Sequence, residues 1–386
     1  MQFLGYVRPD GSVGVRNYIG VISTAVCGNE VTARIARQIE GAVNFLHSQG
    51  CAHSAPDLEQ VTRTLISLGR NPNLGGVLVV SLGCETADPD VIVEGIAKSG
   101  KPVEKIVARD AGGSLPGQAQ GGLLAQALAQ EVTRARREPV DVSNLLLGVK
   151  CGASDTTSGL SSNPATGVAA DLLIENGGTT IIAETPEFMG AEHLLARRCV
   201  NDEIRERLLH FVDRFEKRIL AHGVDIRGGN PSAVNIKGGI SSIEEKSLGA
   251  IRKGGSTTIV GVHEYGERVT GKGLHIVDSP GREPEVLTGL AAAGAQVIVF
   301  STGQGTPHGF PFVPVIKVTG NTNTYERLRD YIDVGVHQVI EGTESLKSAG
   351  KRIYDELLAV ASGKRTKAEI IGYTDAMNIY VTGPTL

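Results

Sequence analysis

The chain has 386 residues, 41% of them hydrophobic and 21% charged, with a formal net charge of −4; that length exceeds one ordinary core and predicts two or three packed units. The mildly acidic balance, the absence of Trp and an aromatic content of only 4% exclude a basic nucleic-acid groove or a base-stacking platform as the main surface. No run reaches the roughly 20 apolar residues of a membrane helix and the N-terminus lacks a signal-peptide core, so neither nucleic acid nor membrane is an expected partner and a cytoplasmic location is expected.

Strand-like and helix-like segments alternate from the start. Tyr18 to Ser23 is an apolar run, followed by a helical pattern from Asn29 to Ile39. A short strand at Val43 to His47 precedes a helix at Asp57 to Leu68. The buried strand Gly76 to Leu82 precedes a helix at Pro89 to Lys98, and the strand Val103 to Arg109 precedes a long helix at Gly121 to Arg136. Leu145 to Val149, the helix Pro164 to Glu175 and the strand Thr179 to Ala183 continue the series. Such alternation predicts an α/β fold of mainly parallel, doubly wound (Rossmann-like) sheets. A charged helix from Arg198 to His222 leads to Gly228–Gly239, whose glycines mark an expected boundary between a 1–227 domain carrying the cysteine loops and a 228–386 domain completing the substrate site. Beyond it come a helix at Glu244 to Ile251, strands at Val297 to Phe300 and Val313 to Val318, and helices at Thr324 to Asp330 and Thr343 to Ser362.

Glycine is abundant, with 50 residues clustered beside polar positions at the ends of apolar runs. This fits tight loops where backbone approaches a ligand, and equally the ordinary turns of an α/β protein. Cys27, Cys51, Cys84 and Cys151 each lie just past the C-terminal end of a predicted strand, where open parallel sheets collect their ligands. No CxxC spacing occurs, which removes zinc-ribbon and ferredoxin motifs. Three thiolates from separate loops suit a 4Fe–4S cluster with one open iron; the same loops suit a single Fe2+ held by Cys, His53 and carboxylates. The structural alternative is small buried residues in tight loops. Cys51, Cys84 and Cys151 form the preferred metal set, because Cys27 suits a helix N-terminal turn. Cys199, in a helical stretch, reads as structural.

The loop from Cys151 to Gly167 packs small hydroxyls and glycines between a strand and a helix, an anion-binding arrangement without the ending of a Walker A loop. Ser154 is a candidate substrate contact there, and Asp155, its only acid, a candidate to orient a substrate hydroxyl or simply a cap. The segment Ala183 to Arg198 places Glu184, Glu187, Glu192 and His193 within about three helical turns. His193 and Glu192 are candidate proton-transfer groups and Glu187 a substrate contact; a surface histidine is the plainer reading of His193. Lys246, among glycines and acids, suits a substrate carboxylate or a desolvated base. Thr302 in STGQGTPHG, and Lys317 and Asn321 near a strand end, extend the same rim. Arg16 and Asn17 in GVRNY make a candidate carboxylate clamp. The first strand is followed by STAVCGNE rather than G-x-G-x-x-G, which argues against a dinucleotide oxidoreductase.

Several long ordered motifs carry a resemblance: GYVRPDGSVGVRNYI, GRNPNLGGVLVVSLGCE, VKCGASDTTSGLSSNPATGVAADLL, ETPEFMGAEHLLARR, IEEKSLGAIRKGGS, TGLAAAGAQVIVFSTGQGT and ASGKRTKAEIIG. Through them the chain resembles the altronate and galactarate dehydratases together with the large subunit of sulfolactate sulfo-lyase. The resemblance implies a carbon–oxygen hydro-lyase or carbon–sulfur lyase: a proton leaves beside the carboxylate of a small acidic 2-hydroxy acid, and water or sulfite leaves the neighbouring carbon. It implies iron, and it strengthens the metal reading of Cys51, Cys84 and Cys151. Single-chain members carry a small domain before the GYVRPDG-like opening, so a separate small subunit is an expected partner, within an oligomer. The segment VTGNTNTYERLRDYIDVGV departs from the family's more acidic run, retaining Asp330 and Asp333, which sets a sugar-acid substrate in doubt and leaves sulfolactate open. A reading of a different class is a non-catalytic binding or scaffold subunit of a metabolic complex.

Overall fold

Two parallel sheets organise the chain in the computed structural model, which describes residues 1–374 and 377–384. The strands in chain order are β1 (Gln2–Val7), β2 (Val13–Gly14), β3 (Tyr18–Ser23), β4 (Ala42–Phe45), β5 (Leu74–Ser81), β6 (Val103–Val107), β7 (Glu138–Asp141), β8 (Leu146–Gly152), β9 (Thr179–Ile182), β10 (Ile259–His263), β11 (Gly273–Val277), β12 (Val297–Thr302), β13 (Val315–Thr319) and β14 (Val334–Gly335). The smaller sheet has the order β4-β3-β5-β6 and the larger β10-β11-β9-β8-β12-β13-β14, every pair parallel. A third, antiparallel set, β2-β1-β7, ties the N-terminus to the strand that precedes β8.

Strand order fixes where ligands enter. In the small sheet the chain leaves β3 for β4 on one side and then crosses to β5 on the other. In the large sheet it leaves β8 toward β9 on one side and returns to β12 on the other. Each centre is a topological switch point, and in open α/β sheets the crevice outside the carboxyl ends of the strands at such a point is the binding site. Cys27 follows β3 and Cys151 is the penultimate residue of β8, one at each switch point.

Helices fill the layers between and outside the sheets. Helices Ala55–Gly69 and Glu283–Ala293 pack together between the sheets, within an apolar cluster joining Leu65 and Leu68 to Leu290, Ile298 and Phe300. Helices Asn163–Glu175 and Leu346–Ala361 cover the other face of the large sheet, and Asn29–Ala36 with Ser114–Val132 the other face of the small one. Two buried amides lock the sheets together: Asn71 Nδ2 donates to the carbonyls of Ala291 and Ala295, and Asn73 Nδ2 to those of Gln296 and Phe312. Among the described residues no helix is long and apolar enough to cross a membrane.

The α/β alternation appears as expected, with two differences. The large sheet takes strands from both sides of the expected boundary at residue 227, because Gly228–Gly239 forms two short helices on the crossover from β9 to β10. The clamp expected at Arg16 and Asn17 closes on the protein itself. Arg16 is buried and pairs with Glu369 at 2.7 Å while donating to the carbonyls of Val15, Val360 and Lys364. Asn17 receives Arg8 and donates to the Val132 carbonyl.

Arg16 thus ties the first strands to the C-terminal helices by a pair whose partners are both buried. Breaking one partner of such a pair costs about 3–5 kcal/mol, because the other charge is stranded. Arg16→Ala is expected to lower the thermal midpoint markedly, read by calorimetry; a midpoint unchanged within error contradicts this assignment.

Candidate active site

The loop after β8 meets three others at the large-sheet mouth. Lys150 and Cys151 end the apolar strand β8, so a cation and a thiol are driven into the interior at its C-terminal tip. Glu184, just past β9, adopts the left-handed region with φ +75°, a conformation that costs a non-glycine residue about 1–3 kcal/mol. Ser279 holds it there: Glu184 N donates to Ser279 Oγ at 2.9 Å, and Thr185 N to the Ser279 carbonyl at 3.0 Å. The strained residue aims its carboxylate inward, and the short turn Thr185–Glu187 brings Glu187 beside it. Lys253 arrives on the turn Ile251–Gly254, which lies directly against helix Asn163–Glu175. A Cβ at Gly167 would stand 2.1 Å from the Arg252 carbonyl, so only glycine permits this approach.

These side chains close a ring. Lys253 Nζ donates to Glu184 Oε2 at 2.7 Å, to Glu187 Oε2 at 3.0 Å and to Cys151 Sγ at 3.1 Å. Cys151 Sγ donates to Glu187 Oε2 at 2.9 Å, and its backbone N–H to Glu184 Oε2 at 3.0 Å. Lys150 Nζ binds Glu184 Oε1 at 3.0 Å and lies over the Phe300 ring. Lys246 stands at the rim, 3.7 Å from Glu187 Oε1. Two enclosed ammonium groups thus face two carboxylates, the balance that makes burial of four charges tolerable.

Burial and neighbours push the ring's titrations apart. Burial, then the Glu187 charge, drives the Cys151 thiol up to about 12, so it is a neutral hydrogen-bond donor. Burial and Glu187 also raise Glu184. Burial acts upward on Glu187 as well, but Lys253 and then Lys246 outweigh it and hold that carboxyl down to about 2. Desolvation works against the Lys253 ammonium, yet Cys151, Glu184 and Glu187 raise it well above the usual lysine value. Carboxylates whose titrations are forced apart by their surroundings are the usual sign of acid–base work.

A cleft of about 260 Å³ opens onto Cys151, Glu187, Lys246, Ser154, Asn235 and Glu283. Of the expected site residues, Glu187, Lys246 and Ser154 therefore reach one mouth. Asp155 lies beside them as a brace: its Oδ1 accepts from Thr157 Oγ1 and Ser158 N, and its Oδ2 from Asn321 Nδ2 at 2.8 Å. Asn321 also caps helix Thr322–Arg327, and Thr302 Oγ1 accepts from Gly305 N within its own loop. Lys317 is enclosed in mid-β13, and burial lowers it to about 8. His193 is exposed, because helix Glu192–Ala196 turns Leu195 and Ala196 inward; Glu192 pairs with Arg227 at 3.3 Å. Lys150, Lys253 and Glu283 were not among the expected site residues. Lys150 is the most readable of them, since a charge at the tip of a buried strand demands a partner.

The expected metal set divides. Cys51 and Cys84 are exposed on loops of the small sheet, together with Cys27, whereas Cys151 is buried in the ring. Among the described residues, one group of potential ligands has donor atoms all within 4.8 Å of one another: Cys151, Glu184 and Glu187. That spacing is compatible with one metal ion. The donors are nevertheless arranged around Lys253 Nζ, and Cys151 retains its proton, so an ion fits only where that ammonium is displaced.

Comparison with known proteins follows the two sheets. Residues 5–133 match the family described as D-galactarate dehydratase/Altronate hydrolase, second domain, and residues 142–384 that described as D-galactarate/Altronate dehydratase, C-terminal. The chain is 39% identical to (2R)-sulfolactate sulfo-lyase subunit beta of Chromohalobacter salexigens, covering 97% of this chain and 96% of that protein. It is 32% identical to altronate dehydratase of Bacillus subtilis, over 100% of this chain and 78% of the relative. It is 35% identical to galactarate dehydratase (L-threo-forming) of Escherichia coli, over 94% and 73% respectively.

The ring predicts unequal thiol chemistry. A thiol held near 12 is thiolate to only about one part in ten thousand at pH 8. In the native protein, an aromatic disulfide reagent is expected to label Cys27, Cys51 and Cys84 quickly and Cys151 only after unfolding, read by peptide mapping. Equal rates at Cys51 and Cys151 contradict the enclosed ring.

Proposed function

The chain belongs to the D-galactarate/altronate dehydratase family, and we propose from this that it is the catalytic subunit of a lyase that expels sulfite from a short, anionic 2-hydroxy acid such as sulfolactate. Sulfite is preferred to water because the sulfo-lyase subunit matches this chain over nearly its whole length at the higher identity. That relative is named as a subunit beta, which supports a second subunit as partner. Five free cysteines suit a reducing, cytoplasmic setting.

The observation that carries the reading is the carboxylate pair Glu184 and Glu187 around Lys253, with Lys246 at the cleft. Lys246 is the cation that receives the substrate carboxylate. In the free site it also helps to hold Glu187 ionised and weakly basic. A substrate anion that takes Lys246 removes part of that restraint and raises the basicity of Glu187 where the proton is to be taken. Glu187 then removes the proton from the carbon bearing the hydroxyl. The C–H electron pair becomes the carbon–carbon double bond, and the C–S bond breaks with its electron pair leaving on sulfite. The resulting enol converts to a 2-oxo acid. Glu187 and Glu184, joined through Lys253, share the proton and titrate as a pair. Ser154 and Asn235 at the cleft wall position the substrate. His193, Glu192 and Asp155 have no step in this scheme, and no step passes through iron in the ring, where Lys253 occupies the place between the donors.

Turnover of sulfolactate, altronate and galactarate is to be measured with the small subunit present. Sulfite release from sulfolactate is expected. Glu187→Gln is expected to lower kcat by at least about hundredfold, the range of a lost general base, and Lys246→Met to act mainly on KM. No turnover of any hydroxy acid by the assembled protein defeats the reading.

A further inference from the structure

The two helices packed between the sheets end beside one another. Asn71, two residues past helix Ala55–Gly69, donates to the carbonyls of Ala291 and Ala295 at the end of helix Glu283–Ala293. Each end carries an arginine. Arg70 caps the first helix. Arg268 comes from the loop after β10, which Val269 N fastens to the Ala293 carbonyl at 2.9 Å, and its Nη2 would stand 3.7 Å from a Cβ at Gly294. A cation suits a helix C-terminus. The free carbonyls there are already taken, however: Asn71 holds those of the second helix, and Lys101 Nζ donates to the carbonyls of Gly69 and Asn71 at 3.1 and 2.8 Å.

The two guanidinium groups are left without partners. Among the described residues neither makes a hydrogen bond or an ion pair, and Arg70 Nε and Arg268 Nη1 are closed off from water with no acceptor. An unpaired donor on a charged group removed from water is costly, so it demands an explanation. The surroundings add to the cost. Burial and then the Arg70 charge lower Arg268 to about 10. Burial, then Arg8 and Arg268, push Lys101 well down. Asp10 is the acid that these charges feel, and its carboxylate is engaged by Ser12. The two nearer acids are committed elsewhere: Glu59 pairs with Arg63 and Glu267 with Arg207. Arg8, Arg70, Lys101 and Arg268 therefore crowd around one carboxylate, in a chain whose net charge is −4.

A cavity of about 680 Å³ opens onto both arginines, with Ala55, Leu58, Thr62 and Ile66 along one wall. The steps of three and four residues between these positions set them on one face of the helix. We propose that this cavity binds a small organic acid, its oxyanion received by Arg70 and Arg268 and its apolar body laid along Leu58, Thr62 and Ile66. Guanidinium forks match the paired oxygens of a carboxylate or a phosphate ester, and an anion there supplies the charge the cluster lacks. The aliphatic wall and the volume suit a ligand with a body, which a bare inorganic anion would leave uncovered. This site is separate from the lyase ring. Glu283, at the start of helix Glu283–Ala293, lines the cleft at Cys151, whereas Arg268 lies at the other end of those 11 residues, about 16 Å away along the helix. Binding here therefore does not depend on the lyase reading.

The test is calorimetric titration of the full chain with benzoate, phenyl phosphate and inorganic phosphate. At least one aryl acid is expected to bind saturably at one per chain, and the tighter of the two tells carboxylate from phosphate. Inorganic phosphate is expected to bind at least about tenfold more weakly. Arg70→Met combined with Arg268→Met is expected to weaken the aryl acid at least about tenfold, and so is Thr62→Glu, which sets a carboxylate on the wall. Lys246→Met, at the Cys151 cleft, is expected to leave this binding as it is. Circular dichroism checks the fold of each variant, and Thr62→Glu, at a partly exposed position, decides the matter if the arginine pair is needed for folding. No saturable binding of either aryl acid, equal binding of inorganic phosphate, undiminished binding in a folded Thr62→Glu chain, or loss of binding in Lys246→Met overturns the proposal.

Discussion

An ammonium group sealed from water organises the mouth of the larger sheet. Lys253 is fully enclosed and touches a thiol and two carboxylates at once. Without it, Glu184 and Glu187 would face each other in a medium that tolerates neither charge. The backbone accommodates this arrangement: Glu184 accepts a left-handed conformation, and Gly167 clears a path for the Lys253 turn. Strain at one residue and a missing Cβ at another are thus consequences of bringing compensating charges to one point. The helix and strands that surround the ring are apolar, so they provide rigidity and no alternative partners.

The two sheets repeat one solution with different chemistry. Each has a central strand whose neighbours lie on opposite sides, and each opens a crevice there. At the large sheet the crevice is charged, enclosed and self-neutralised. At the small sheet it is lined by exposed sulfur on braced loops. Asn71 and Asn73 fix the distance between the crevices by bonding the start of β5 to the starts of β12 and β13.

Alternation of apolar strands and amphipathic helices made the α/β class legible, and most elements fall within a few residues of their expected places. Helix Glu283–Ala293 escaped because it is buried on nearly every side, so its sequence has no polar stripe to betray a period. β10 and β11 escaped because they are short and interrupted by Gly261, His263 and His275, while β1 alternates buried and exposed residues and β7 is largely exposed. At the site, residue type misled where partner identity mattered. Arg16 has the chemistry of a carboxylate clamp, and it does clamp a carboxylate, that of Glu369. His193 has the chemistry of a proton acceptor but sits on the wrong helix face. Lys253 stood in the motif IRKGGS with nothing to distinguish it from the exposed lysines; its role follows from a turn packed against Gly167, a contact between residues far apart in sequence.

The division of the cysteines follows from the same long-range geometry. A thiol becomes a metal ligand only as thiolate, which needs nearby positive charge or access to water. Cys151 has a cation within 3.1 Å, but two carboxylates compete for it and burial removes water, so the proton stays. Cys27, Cys51 and Cys84 are instead exposed, and Arg109 donates to the Gly83 carbonyl next to Cys84. Position after a strand is common to all four and could not separate them. What separates them is the charge already present around each, and that is set by β9 and the Lys253 turn in one case and by Glu85, locked into its own loop, in the other. A fold that places sulfur at two switch points can therefore enclose one thiol in hydrogen bonds and leave the others open to solvent without changing the residue type.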